Sequence, residues 1–164
     1  MTRTPALPQV HAIDASFTQW RELLSLILRS FDYMNAIIDP PSSALRLNVP
    51  ALQEKAKHET GLVIFQHARP VACMFCDTRP QALYVGKLAV EPGLQGKGLG
   101  SVLLGEAERI ALASGRTRLE LQTRIELAGN HEFFARHGFS RVGEGAHEGY
   151  SRPTWIWMAK ELSA

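Results

Sequence analysis

The sequence predicts one α/β domain of the α+β type, spanning residues 1–164, with a largely antiparallel front half. Two observations lead to this fold class. Hydrophobic residues recur at helical spacing in segments before and after the middle of the chain. Between those segments, three strand-like stretches follow one another across short turns, which is typical of antiparallel pairing. With 45% hydrophobic and 21% charged residues, a chain of this length can bury a full core without disulfides.

The chain is predicted to begin with a short edge strand and a long helix. Residues 9–13 form the strand. Asp14 or Ser16 can cap a helix that runs through residues 17–31, because the apolar positions there follow helical spacing.

A loop, a short helix and three strands are predicted next. The stiff polar stretch 39–43 is a loop, and Pro50 suits the first turn of a second helix. The strands are residues 61–68, 71–77 and 82–90, and a tight turn at Arg69–Pro70 joins the first two.

The second half is predicted to alternate helices and strands. An amphipathic helix covers residues 98–113, and Ser114–Gly115 closes it. Residues 117–125 alternate as a strand should. A short helix over 130–137 and two late strands, 139–142 and 154–158, complete the order βα(α)βββαβαββ.

The charge and hydropathy of the chain argue against several classes of partner. Lys and Arg number 18 against 16 Asp and Glu, so the net charge of +2 gives no case for nucleic acid. No apolar run is long enough to cross a bilayer, and the first residues lack the apolar core of a signal peptide. We therefore expect a cytoplasmic protein without a membrane partner.

The two cysteines form a Cys73-x-x-Cys76 spacing that is typical of zinc and redox sites. Zinc requires a second ligand pair, which the sequence lacks, and a redox pair begins a helix. Here the segment is strand-like, so the two side chains point to opposite faces. We expect two packed thiols and no metal.

The segment from Gln95 to Gly100 carries the strongest chemical signal. It reads Gln-Gly-Lys-Gly-Leu-Gly and lies between a strand and a helix. Glycines let a ligand approach the backbone closely, and the first amides of a helix have no internal partners. Together with the helix dipole, they predict a site for a phosphate or pyrophosphate.

Three alternatives for this segment are weaker. A P-loop requires a hydroxyl residue after its lysine, but Gly98 follows Lys97. The dinucleotide fingerprint has a different glycine spacing and follows the first strand of its unit. A plain turn needs one glycine rather than three in alternation.

A further pattern, [QR]-x-x-G-x-[GA] after a strand ending in L-x-V, is met here by Gln95–Gly100 after Leu88–Val90. The segment resembles the acetyl-coenzyme A motif of the GNAT superfamily of N-acetyltransferases. Residues 130–139, an Asn-led helix ending in Gly-Phe, resemble the second motif of that family.

The resemblance implies a GNAT-type fold: a mixed, mostly antiparallel central sheet, splayed between its fourth and fifth strands and flanked by about four helices. It also implies acetyl-CoA as co-substrate, without a metal, and transfer of the acetyl group to a primary amine of a small molecule, amino acid or peptide. A homodimer is common in the family. The rival reading is a non-catalytic acyl-CoA-binding or sensor module of the same fold.

The resemblance also assigns residues that bind the co-substrate. The backbone of the fourth strand would hold pantetheine and the thioester carbonyl, while the helix amides would hold the pyrophosphate. Asn130 would contact the pantetheine arm, with Phe134 beside it, and Arg136 is a candidate for the 3′-phosphate. The strand and helix residues are Leu88, Ala89, Val90, Gln95, Gly96, Lys97, Gly98, Leu99, Gly100 and Ser101.

The usual acid and base of the family are missing. Tyr84 lies near the position of the common Glu base, and Phe134 replaces the common Tyr acid. We therefore name Tyr84 and Tyr150 as catalytic candidates, with His131 and His147 as further proton relays.

The acceptor region is expected within residues 20–57 and 143–157. Its aromatic side chains, together with Asp32, Asp39 and Glu59, would suit an amine or a peptide N-terminus.

Overall fold

The computed structural model describes residues 7–163 and contains seven strands and four α-helices in that range. The prediction that the chain does not begin with a signal peptide falls partly on residues 1–6, which lie outside the described range. The strands are β1 (Val10–Ala12), β2 (Thr60–Gln66), β3 (Arg69–Thr78), β4 (Leu83–Val90), β5 (Arg118–Arg124), β6 (Ser140–Gly145) and β7 (Trp155–Glu161). The helices are α1 (Trp20–Phe31), α2 (Val49–His58), α3 (Leu99–Ala113) and α4 (Ala128–Arg136).

All seven strands form one sheet in the order β1-β2-β3-β4-β5-β7-β6. Every neighbouring pair is antiparallel except β4 and β5, which are parallel. The predicted mixed, mostly antiparallel sheet with four helices is confirmed.

The fourth and fifth strands separate soon after they meet, as predicted. They pair only at Leu83 with Leu119 and at Tyr84 with Glu120. Beyond that point β5 stays paired with β7 along its whole length, while β4 stays paired with β3. A wedge-shaped gap therefore opens within the sheet, toward the carboxyl ends of both strands.

Each face of the sheet carries its own hydrophobic cluster. One cluster packs α3 and the region of Phe134 and Phe139 against the sheet. The other packs α1 and Leu52 of α2 against the opposite face. Cys76 belongs to the first cluster and Cys73 to the second, so both thiols are buried on opposite faces of β3, as expected.

The turn between β2 and β3 lies two residues earlier than predicted. Gln66 pairs with Arg69, so the connection consists of His67 and Ala68, with φ of 53° and 61°. Two positive φ angles in succession match the twist of a two-residue hairpin. Pro70 is buried within β3 opposite Phe65, so the predicted turn at Arg69–Pro70 is wrong.

Two other boundaries differ from the sequence prediction. Helix α1 begins at Trp20 and has Gln19 as its N-cap, without a side-chain hydrogen bond. Asp14 instead holds a turn ahead of the helix, because its Oδ1 accepts from the amide of Ser16 at 2.9 Å. Helix α4 begins two residues earlier than predicted, and short 3₁₀ helices follow α1 at Asp32–Ala36 and precede α2 at Ser43–Arg46.

None of the helices within residues 7–163 is both long and apolar enough to cross a membrane.

Candidate functional site

The gap between β4 and β5 exposes backbone at the end of β4 that pairs with no strand on that side. The amide of Glu91 donates to Val71 O at 2.8 Å, so the backbone of Glu91 points toward β3. Because successive residues of a strand alternate, the amide and carbonyl of Val90 point away from β3. The carbonyl accepts from Ser30 Oγ at 2.9 Å and from Gln95 Nε2 at 3.3 Å.

A β-bulge lies just before this exposed backbone. Cys73 pairs with Ala89 and Phe75 with Gly86, so β4 has one residue more than β3 between these pairs. Lys87 lies in the bulge with φ of 51°, which is rare for a residue with a side chain. The bulge places Lys87 on the face of α1 and α2, where its Nζ donates to Ser43 Oγ at 2.9 Å.

The start of α3 has the geometry of an anion site. Gly96 and Gly98 have φ of 80° and 88°, and a Cβ built on either would meet nothing within 4 Å. Gly98 is the N-cap, so no side chain caps the first amides of the helix. These free amides at the positive end of a 15-residue helix can bind a phosphate.

The third glycine of the motif serves packing. A Cβ on Gly100 would lie 3.0 Å from Cζ of Phe133, on the facing helix α4. The aromatic ring therefore lies directly against the backbone of α3, which brings α4 to the edge of the anion site.

A first cavity of about 530 Å³ joins the β4 backbone to the start of α3. Of the residues predicted to bind the co-substrate, all except Lys97 line this cavity, and Arg136 lines it too. Lys97 is exposed between the two glycines of positive φ. Sequence reasoning missed further lining residues: Ser30, Phe31, Tyr33, Met34, Leu94, Phe133 and His137.

Two of the missed residues make polar contacts in the first cavity. His137 Nδ1 lies 2.8 Å from Phe133 O, and its Nε2 lies 2.7 Å from Ser101 Oγ. Tyr33, whose pKa burial raises, has its hydroxyl 3.5 Å from Asn130 Oδ1. Tyr33 lies outside both sequence motifs, whereas His137 lies within the second one, residues 130–139, where sequence reasoning assigned it no role.

A second cavity of about 770 Å³ lies on the other side of the gap. The two cavities meet within the gap, beside Leu88 of β4. They share Phe31, Met34, Leu88, Asn130 and Phe134. Tyr84 and Tyr150, the two catalytic candidates, both line the second cavity.

Two contacts hold the aromatic ring of Tyr84 in place. The guanidinium of Arg79 lies 4.0 Å from the ring centroid, and Trp157 makes an edge contact at 6.0 Å. Burial raises the pKa of Tyr84, so its hydroxyl keeps its proton at neutral pH. It can donate a proton but is a poor base.

The hydroxyl of Tyr150 is already in a hydrogen bond. It donates to Asp39 Oδ1 at 2.6 Å, and this bond raises the pKa of Tyr150. The proposed catalytic role of Tyr150 stays a prediction.

The two histidines named as relays lie in different surroundings. His131 Nε2 lies 2.9 Å from Arg124 O, and the residue lines neither cavity. His147 lines the second cavity, and burial lowers its pKa. Its Nδ1 lies 2.5 Å from Thr154 Oγ1, which fixes the orientation of the ring.

The prediction that three carboxylates face the acceptor is wrong. Asp32, Asp39 and Glu59 line neither cavity. Asp39 bonds to Tyr150 and Arg152, and Glu59 forms an ion pair with Lys55 at 2.7 Å. The second cavity is instead lined by four basic residues: Arg46, Lys55, Lys87 and Arg124.

Comparison with known sequences gives one family. A sequence model described as the acetyltransferase (GNAT) family matches residues 20–139. That range contains α1 through α4 and both sides of the gap. Among curated proteins, none matches the sequence.

Solved structures share the fold at low sequence identity. PaiA N-acetyltransferase from Thermoplasma acidophilum, in complex with coenzyme A, has a TM-score of 0.77 and 16% identity, covering 94% of this chain and 99% of that chain. A GNAT family acetyltransferase from Elizabethkingia anophelis with acetyl-CoA bound has a TM-score of 0.68 and 16% identity, covering 94% and 97%. The ribosomal-protein-S18-alanine N-acetyltransferase from Escherichia coli has a TM-score of 0.70 and 16% identity, covering 96% of each chain.

Proposed function

The chain belongs to the acetyltransferase (GNAT) family, and on that basis we propose that it transfers the acetyl group of acetyl-CoA to a primary amine. The observation that carries this proposal is the continuity of the first cavity. It runs from the unpaired backbone at the end of β4 to the glycine-lined amides at the start of α3. A long, thin molecule with a pyrophosphate in its middle suits that shape.

Each part of the first cavity would contact a different part of the co-substrate. The backbone amides of Gly98 through Ser101 would hold the pyrophosphate. The backbone of β4 from Leu88 to Val90 would bind the pantetheine arm, and the amide of Val90, which points away from β3, would hold the thioester oxygen. Asn130 and Phe134 would lie on the other side of the arm.

The reaction in this proposal is direct attack. The nitrogen of a neutral amine bonds to the thioester carbonyl carbon, the carbon–sulfur bond breaks, and the thiol leaves with a proton that the amine loses. The protein would supply proximity and stabilise the charge on the carbonyl oxygen. Tyr84 is a candidate relay for this proton: its hydroxyl would give a proton to the leaving sulfur and would regain the one that the amine loses.

A second candidate function is an acyl-CoA-binding module without turnover. It is favoured by Phe134, which has no proton to give, and by the Tyr150 hydroxyl, which is engaged with Asp39. Both candidates share the first cavity, so binding alone does not separate them.

The binding test is thermal unfolding with acetyl-CoA, CoA, ATP and NAD in parallel. A ligand that binds only the folded state raises Tm by mass action. We expect a shift with acetyl-CoA and CoA alone. Gly98→Phe should remove the shift, because the ring would occupy open space beside the helix amides.

Gly105→Phe is the matched control, since Gly105 is exposed on the same helix with nothing within 4 Å of its Cβ. This variant should keep the shift, and circular dichroism checks that both variants fold. Equal shifts with ATP or NAD would overturn the co-substrate assignment. Thiol release with a panel of amines then separates the enzyme from the binding module.

A further inference from the structure

The second cavity has an excess of positive charge. Arg46, Lys55, Lys87 and Arg124 line it, whereas the one lining carboxylate among the described residues is that of Glu148, which is exposed. Lys55 is neutralised by Glu59 at 2.7 Å. Across residues 7–163, the other three cations take part in no ion pair.

The three unpaired cations come from three separate elements that converge on the cavity. Lys87 projects from the bulge of β4, and Arg124 ends β5 on the other side of the gap. Arg46 ends the 3₁₀ helix Ser43–Arg46 that precedes α2. Because these cations reach the second cavity from both sides of the gap, they would surround a group bound there.

Arg124 has hydrogen-bonding capacity to spare. Its Nη2 donates to Pro41 O at 2.9 Å, while its Nη1 is buried and has no hydrogen-bond partner. A buried charged donor without an acceptor is costly to leave unpaired. An anionic ligand would remove that cost.

The surroundings of Lys87 also favour an anionic ligand. Burial lowers its pKa, and the nearby charges of Lys55, Arg46 and Arg124 lower it further against the opposing effect of Glu59. The Nζ has only the Ser43 hydroxyl as a hydrogen-bond acceptor. Lys87 is therefore repelled by the neighbouring cations, while Glu126 and Asp39 lie close enough to Arg124 to favour its charge. An anion between Lys87, Arg46 and Arg124 would relieve the repulsion at Lys87 and would be held by charge-assisted hydrogen bonds.

We propose that the acceptor is an amine that also carries an anionic group, a carboxylate or a phosphate, and that Arg46, Lys87 and Arg124 bind this group. This inference rests on the proposed acetyl transfer. It places the amine toward the shared wall at Leu88, Asn130 and Phe134, where the two cavities meet. It also excludes polycationic amines as good acceptors, since they would add charge to a cavity that already repels it.

The test uses matched pairs of amines that differ in the anionic group. The pairs are the common L-amino acids and their carboxamides, and O-phosphoethanolamine and ethanolamine, with spermidine as a polycation. Thiol release gives kcat/KM for each. We expect the anionic member of at least one pair to be preferred by tenfold or more, and the preferred pair tells carboxylate from phosphate.

Variants at two of the three cations, Arg46 and Arg124, test whether these side chains cause the preference. Arg46→Gln and Arg124→Gln should each reduce the ratio of kcat/KM between anionic and neutral members by about tenfold. Lys57→Gln is the control, because Lys57 is exposed on α2 and lines neither cavity. Its ratio should equal that of the unchanged protein.

The outcomes distinguish this inference from the proposed function. Thiol release with neutral amines at equal or higher kcat/KM would overturn the inference and leave acetyl transfer standing. If acetyl-CoA binds but no amine releases thiol, calorimetry with CoA-loaded protein decides. Binding of an anionic amine that Arg124→Gln weakens supports the inference, whereas no binding, or equal binding of the neutral partner, overturns it.

Discussion

The hydroxyl of Tyr150 donates a 2.6 Å hydrogen bond to Oδ1 of Asp39, across 111 residues of sequence. Arg152 reinforces this link, because its Nη2 lies 3.1 Å from the carbonyl oxygen of Asp39. On the other side, the amide of Asp39 donates to Glu126 Oε2 at 2.9 Å. The loop before α2 is thereby fastened to the loop between β6 and β7, and together they form one wall of the second cavity.

If Tyr150 acts by fastening this wall, Tyr150→Phe and Asp39→Ala will have the same effect. Each should raise KM for the acceptor about fivefold, which corresponds to the roughly 1 kcal/mol of one hydrogen bond, with kcat little changed. The double variant should be no worse than either single one. Steady-state kinetics of the three variants measures this.

A catalytic Tyr150 would give a different result. Tyr150→Phe would then lower kcat by about a hundredfold and change its pH profile, while Asp39→Ala would not. The same comparison for Tyr84→Phe tests the other candidate, and its ring contacts with Arg79 and Trp157 would keep the fold intact.

Strand β6 offers a matched pair of glycines that tests the packing of the second cavity. A Cβ at Gly145 would lie 2.6 Å from the ring of Trp155, which lines the cavity, whereas at Gly143 it would lie 3.7 Å from Trp157. Gly145→Ala must therefore displace Trp155, and we expect it to destabilise the protein by about 1–3 kcal/mol.

Gly143→Ala should cost less than about 1 kcal/mol, because its new contact is an ordinary one. Urea unfolding of the two variants measures both values. Equal stability of the two variants would mean that the Trp155 ring has other positions available.

The two thiols are expected to be unreactive in the folded protein. Burial raises the pKa of both Cys73 and Cys76 to about 12, so neither forms the thiolate that reacts with Ellman's reagent at pH 8. We expect no reaction in buffer and two thiols in guanidinium chloride. Rapid reaction of the native protein would show that β3 opens readily, and it would also interfere with a thiol-release assay.

The same shift predicts how stability depends on alkaline pH. Unfolded thiols titrate near pH ~8.5, so between there and about pH 12 the folded state binds more protons than the unfolded state. The stability that the two buried thiols contribute is complete below this window and is lost as pH rises through it. Urea midpoints at pH 8 and pH 10 measure the loss of stability, and this loss should be smaller when both cysteines are replaced by alanine.

The cationic cavity predicts the pH dependence of turnover. Burial and like charge both lower the pKa of a bound ammonium group, as burial first and the neighbouring cations second lower that of Lys87. We expect kcat to rise with pH through a pKa below that of the free amine, because the neutral amine is the attacking form. Lys87→Met removes one cation and should move the rise of kcat to higher pH.

Lys57→Gln again serves as the control for that shift. The electrostatic account would be contradicted if the rise of kcat in Lys87→Met stayed at the same pH or moved to lower pH. The other ionisable residues that line the cavity and contribute to its field are Arg46, Lys55, Tyr84, Arg124, His147, Glu148 and Tyr150.

Sequence reasoning was most successful where the signal is local. The alternation of residues 117–125 and the glycines before α3 follow from backbone geometry over a few residues, and both predicted features are present. The turn at His67–Ala68 was not predicted because it lacks the Gly or Asn that usually marks a two-residue hairpin turn. The register of β2 against β3 determines that turn, and register is a property of the sheet.

The charge of the second cavity could not be predicted because its members are far apart in sequence. Arg46, Lys87 and Arg124 each read as an ordinary surface cation, and only the bulge and the separation of β4 from β5 bring them together. Asp39 shows the opposite case, since a carboxylate expected to face an amine is turned toward Tyr150 and Arg152.

The separation of β4 from β5 also affects how the protein avoids self-association. Unpaired strand edges are the usual places where one chain recruits a strand from another. Here two such edges face each other inside a single molecule, with α1 joined to the end of β4 through Ser30. Helices packed on both faces of the sheet flank these two inner edges, whereas β1 and β6 form the outer edges of the sheet. The backbone groups that β4 and β5 leave unpaired are therefore kept within the fold, away from the edges where a neighbouring chain would add a strand.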